Sequence, residues 1–107
     1  MSGFDKREEG FESKFAHDEE LRFKAHARRN KLVGLWAAEK LGLAGAAAET
    51  YAKDVVTADL DKPNSDGVFN KLRKDFDEKG VAQSDHQIRR TMEEAMVKAV
   101  ADIQTGR

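Results

Sequence analysis

Few side chains in this 107-residue chain are of types and spacings that could do chemistry. Its three histidines, His17, His26 and His86, are scattered. None belongs to a His-Glu-x-x-His arrangement that would put two metal ligands one helical turn apart. Cysteine is absent, which removes disulfides, thiolate metal sites and cysteine nucleophiles together. Asp59-Leu60-Asp61-Lys62-Pro63-Asn64 has a superficial likeness to a calcium loop. A proline stands where the fifth-position ligand belongs and no glycine follows, so a helix end and turn is the better reading. Ser13, Ser65 and Ser84 carry no nucleophile signature, and no glycine-rich loop could cradle a phosphate. This inventory predicts a binding protein, not an enzyme, with no metal site and no resident cofactor.

Charge narrows the partner. Nineteen basic residues against twenty acidic ones leave a net charge of −1, so no global field steers the chain to nucleic acid or to an anionic membrane. The stretch Arg22, Lys24, His26, Arg28, Arg29 and Lys31 is basic, but helical spacing spreads it around the surface behind Asp18, Glu19 and Glu20. It is expected to form a solvated face, with Glu19 or Glu20 pairing with Arg22 or Lys24. No segment approaches the roughly 20 apolar residues of a membrane helix, and Met1 to Glu12 lacks the apolar run of a signal peptide. The expected setting is the cytoplasm.

The elements that would position these residues are helices. Leu21, Ala25, Leu32, Leu35 and Trp36 follow helical spacing between about Asp18 and Leu41, and Gly42-Leu43 supplies a left-handed stop. Ala47, Tyr51, Val55 and Ala58 mark a second helix from about Ala46 to Asp61. Past Pro63, Ser65 can cap a third, carrying Val68, Phe69, Leu72 and Phe76 as far as Gly80. Ser84 with Gln87 forms a capping box for a fourth, whose stripe runs Ile88, Met92, Ala95, Met96, Ala99 and Ile103. Trp36, Tyr51, Phe69 and Phe76 are predicted to be core. Short connections and the absence of strand-type alternation predict an all-α antiparallel four-helix bundle.

The first 17 residues stand apart in this pattern. Phe4, Phe11 and Phe15, half of the chain's six phenylalanines, are spaced i, i+7 and i+11 and lie within roughly 40° of one another on a helix. The stripe from Leu21 to Trp36 is centred roughly 85° away on the same helix, so one straight helix is expected not to bury both. Residues 1–17 are therefore predicted to be a mobile segment that becomes helical on contact, separate from a bundle domain of residues 18–107. Its phenylalanines would enter a groove on a partner. Asp5, Lys6, Arg7, Glu8, Glu9, Glu12 and Lys14 around them form a mixed-charge rim suited to a protein surface.

Phe4-Asp5-Lys6-Arg7-Glu8, Phe11 through Glu20, Arg28 through Leu32, Gly34 through Gly42 and Tyr51-Ala52-Lys53 carry a further signal. Together they resemble the zeta-subunit family of alphaproteobacterial F-type ATP synthases. The likeness is clear from Phe4 to about Asp59; beyond Pro63 mainly length and helix pattern agree. The resemblance implies an inhibitor whose N-terminal helix lodges at an α/β interface of the synthase's catalytic head, near the rotor stalk, and blocks ATP hydrolysis. By carry-over, the partner-binding residues are Phe4, Asp5, Arg7, Glu8, Phe11, Lys14, Phe15, Asp18 and Arg22. It further implies a monomer when free, held near the inner membrane only through the synthase. ATP or ADP as a regulatory ligand is also implied, with no residue to locate it. The alternative readings are a purine-nucleotide-binding helical sensor and, third, nucleic-acid binding through Arg28, Arg29 and Lys31.

Overall fold

The computed structural model describes residues 19–61 and 66–105. Four helices make up the described chain: α1 (Glu19–Lys40), α2 (Gly45–Asp61), α3 (Asp66–Lys79) and α4 (Asp85–Gln104). Their ends obey the local chemistry of the sequence. At the foot of α1 the Leu43 N–H bonds the Ala38 carbonyl at 2.8 Å and the Gly42 N–H bonds that of Glu39 at 3.1 Å. This paired closure needs a left-handed residue, and Gly42 supplies it with φ +81°. Gly80 closes α3 in the same way, with Val81 bonded to Phe76. The predicted capping box opens α4. The Gln87 N–H donates to Ser84 Oγ at 3.1 Å, and the Ser84 N–H donates to Gln87 Oε1 at 2.8 Å.

Consecutive helices run antiparallel, as the cross-helix pairs show. Gly34 meets Ala52 and Val55, while Arg29 meets Asp59. The Tyr51 hydroxyl donates to Asp75 Oδ2 at 2.6 Å, tying α2 to α3. Arg73 bonds the Gln83 carbonyl and Asp85, and the Arg89 guanidinium lies 4.0 Å over the Phe69 ring, tying α3 to α4. Arg28 closes the circuit onto Asp102 of α4 at 3.0 Å. The core is Val33, Ala37, Val55, Val68, Leu72, Phe76, Ile88, Met92 and Ala95. Trp36, Tyr51 and Phe69 pack half-buried against it. Trp36 meets Phe76 edge-on with centroids 5.7 Å apart.

Helix α1 corrects two expectations. Its buried residues are Ala25, Arg29, Asn30, Val33, Gly34, Ala37 and Ala38, whereas Leu21, Leu32, Leu35 and Trp36 are only half-buried. The true inner face is thus the small-residue side, because α1 is covered by both α2 and α4 and close backbone approach requires glycine and alanine there. The stripe from Leu21 to Trp36, against which the angle was taken, is therefore not the buried face of α1. Phe4, Phe11 and Phe15, which were compared with that stripe, lie outside the described residues. Register, not phase, sets the first part of α1 apart. Asp59 and Asp102, each two residues from the end of its helix, stand opposite Arg29 and Arg28. The stretch of α1 before Arg28 extends about 13 Å beyond that level, and Ala25 is its one buried residue.

The second correction concerns the basic stretch. Arg29 is 4% exposed and its neighbour Asn30 is 1% exposed, so Arg29 does not belong to a solvated face. Its Nε donates to Asn30 Oδ1 at 2.7 Å, and a terminal nitrogen lies 3.8 Å from Asp59 Oδ1. Lys24 behaves as predicted, pairing with Glu20 at 3.2 Å on the exposed side.

Candidate functional site

Where α1 outruns α2, the two helices leave an open cleft of about 420 Å³. Glu19, Arg22, Phe23, His26, Ala27 and Asn30 form its α1 wall; their spacing of i, i+3, i+4, i+7, i+8 and i+11 places them on one face. Val56, Asp59 and Leu60, at i, i+3 and i+4, form the α2 wall. The α1 wall continues the face that Gly34, Ala37 and Ala38 bury lower down. Large and charged side chains replace alanine and glycine there, so the same face that is core at one end is a cleft at the other.

The lips are apolar: Phe23 is 64% and Leu60 66% exposed, two of the three large hydrophobic side chains most exposed among the described residues. Its polar lining includes Asn30 and Asp59, and Asp59 faces the buried Arg29 guanidinium. Burial pulls the Arg29 guanidinium below its ordinary value, and Asp59 opposes that shift. The 3.8 Å separation makes this an ion pair without a hydrogen bond, and Asp59 Oδ1 accepts no hydrogen bond among the described residues. His26 sits half-buried in the wall. Burial and then the Arg29 charge lower its pKa from 6.5, Asp59 raises it, and Arg22 lowers it further, favouring the neutral imidazole. The cleft therefore offers a ring face, an aliphatic lip, an amide, an imidazole and charges of both signs, which are groups for holding a ligand. Among the described residues no three histidine, aspartate or glutamate side chains converge to hold a metal.

Of the nine partner-binding residues expected from the sequence, Arg22 alone is among the described residues; it is exposed on the cleft wall. Phe4, Asp5, Arg7, Glu8, Phe11, Lys14, Phe15 and Asp18 lie outside the described residues. Sequence reasoning missed Phe23, His26, Asn30, Asp59 and Leu60 as a group. The available signal was Phe23, the one aromatic residue in the basic stretch, off the stripe assigned to core.

The model of the family described as ATPase inhibitor subunit zeta matches residues 1–102. The chain belongs to this family. In the comparison with solved structures, a protein solved by solution NMR is 39% identical to this zeta-family chain, with a TM-score of 0.72. The match covers 81% of this chain and 99% of that one. Among curated proteins there is no match. No described helix of this zeta-family chain is long and apolar enough to cross a membrane.

Proposed function

We infer that this chain is a regulatory subunit that binds the catalytic head of F-type ATP synthase through residues 1–17 and blocks ATP hydrolysis, with residues 18–107 as the bundle that presents them. The observation that carries this reading is that the family match begins at residue 1 and so includes the whole aromatic segment. The register of α1 supports it. The part of α1 before Arg28 already extends about 13 Å past the level of Asp59 and Asp102, and in this reading Phe4, Phe11 and Phe15 leave water on the partner's surface. Each buried ring contributes roughly 1.5–3 kcal/mol before ordering costs, enough in sum for tight, reversible binding. Phe4, Phe11 and Phe15 are the anchors in this reading, and Asp5, Arg7, Glu8, Lys14, Asp18 and Arg22 form ion pairs around them at an α/β interface beside the rotor stalk.

The test is a hydrolysis assay on purified synthase head with the full chain and with a chain lacking residues 1–17. Loss of inhibition from a shortened chain that keeps its helical spectrum and cooperative melting supports the reading. Inhibition retained by the shortened chain rejects it.

The cleft favours a second reading, a nucleotide sensor, since Phe23 offers a stacking face and Arg22 a cation at one opening. Calorimetric titration with ATP, and with the Phe23→Ser variant as control, separates the two. Heat that depends on Phe23 without any effect on hydrolysis would favour the sensor.

A further inference from the structure

Helical spacing gathers charge around one titratable ring in the cleft. His26 stands on the α1 wall with Arg22 at i−4 and Arg29 at i+3 on the same face, and with Glu19 two turns away at the rim. From α2, Asp59 is the charged group that faces it across the cleft. The charges of α4 are engaged elsewhere: Asp102 pairs with Arg28 and with Lys98. Arg28 is two residues from His26 and so points to the far side of α1, as does Lys24, which pairs with Glu20. Two guanidinium groups therefore flank the imidazole, against one carboxylate across the gap.

That carboxylate is weakly held. Asp59 Oδ1 lies 3.8 Å from an Arg29 nitrogen, outside hydrogen-bond range, and accepts no hydrogen bond among the described residues, while the Arg29 Nε donates to Asn30. The arrangement suits a neutral His26, which half-burial and the Arg29 charge favour. A proton on the ring would place three cations at i−4, i and i+3 along one helix face, a spacing at which like charges repel. Because the cleft is open, α1 can relieve that repulsion by moving away from α2 without unfolding the bundle. The part of α1 beyond Asn30 cannot follow, since Gly34 lies against Ala52 with no room for a Cβ and Val33, Ala37 and Ala38 are fully buried.

We propose that His26 is a proton switch for the cleft: its protonation widens the space between α2 and the stretch of α1 before Asn30, while the remainder of the two helices stays closed. The sign follows from linkage. The imidazole binds its proton more weakly in the closed cleft than in water, so the closed form is favoured at higher pH and is lost as pH falls. The switch belongs to the bundle and does not depend on the inhibitory role of residues 1–17.

Paired nitroxide labels on the full chain test it. There is no native cysteine, so Glu20→Cys with Thr57→Cys spans the cleft from two exposed positions, and Glu39→Cys with Glu49→Cys spans the closed part as a reference. From pH 7.5 to pH 5 the distance across the cleft should shift to longer values and the reference distance should stay unchanged. His26→Gln should hold the short distance throughout. Arg22→Gln, which removes one flanking cation, should raise the pH at which the His26 ring titrates by NMR and reduce the lengthening. No lengthening in the unsubstituted cleft, lengthening that survives His26→Gln, lengthening undiminished in Arg22→Gln, or equal lengthening of the reference pair overturns the proposal.

Discussion

The two halves of α1 present the same helical face to α2 and use it in opposite ways. In the lower half Gly34 lies so close to α2 that a Cβ added there would stand 2.7 Å from Ala52 Cα, and Val33, Ala37 and Ala38 are fully buried. In the upper half Arg22, Phe23 and His26 line the cleft that opens between α1 and α2. Small side chains give contact without conformational freedom; large polar ones give surface without closure. One helix is thereby both the spine of the core and an opening edge.

Substitutions should separate the halves sharply. Phe76→Ala, which empties a fully buried site next to Trp36, should cost about 3–5 kcal/mol in urea unfolding. Asp59→Ala removes the carboxylate facing the buried Arg29 at the border between the halves. Its cost should be about 2 kcal/mol, below that of a fully enclosed pair because the Asp59 side chain keeps 16% exposure. Gly34→Ala sets about 1 kcal/mol of gained helix propensity against a clash with α2 backbone that cannot yield locally. A net loss of about 1–2 kcal/mol is expected. Phe23→Ser, on the cleft lip, should change stability by less than about 0.5 kcal/mol. A loss at Phe23 as large as that at Gly34 would erase the distinction.

The smallest effect is a pH dependence. The folded-state pKa of His26 lies below its unfolded value of 6.5, so the unfolded chain binds the proton more readily. The contribution of neutral His26 is fully present above pH 6.5 and is lost as pH falls from there toward the folded pKa. Stability followed from pH 7.5 down to pH 5 should decline less steeply in a His26→Gln chain. An unchanged slope would show that the imidazole is not held neutral by the cleft wall.

What the sequence revealed follows the same division. Helix ends were legible because caps and stops act locally: Ser84 with Gln87, and Gly42 with Leu43, specify their geometry within a few residues. The stripes of α3 and α4 were legible because each has one buried side, carried by Leu72 and Phe76 or by Ile88 and Met92. Helix α1 misled because contact on two sides selects for glycine, alanine and even Arg29 with Asn30, none of which announces burial by hydropathy. The cleft was invisible for a related reason. It depends on where α2 ends relative to α1, a long-range register that no local pattern encodes. Residues 1–17 stand apart in the sequence by the spacing of Phe4, Phe11 and Phe15, and they lie outside the described residues.

Native-state hydrogen exchange along α1 tests the contrast most directly. Amides from Val33 to Lys40 should exchange only through global unfolding, while those from Phe23 to Ala27 should open by at least about 2 kcal/mol less. Equal protection of both stretches, at the global value, would contradict an α1 that is locked at one end and free to open at the other.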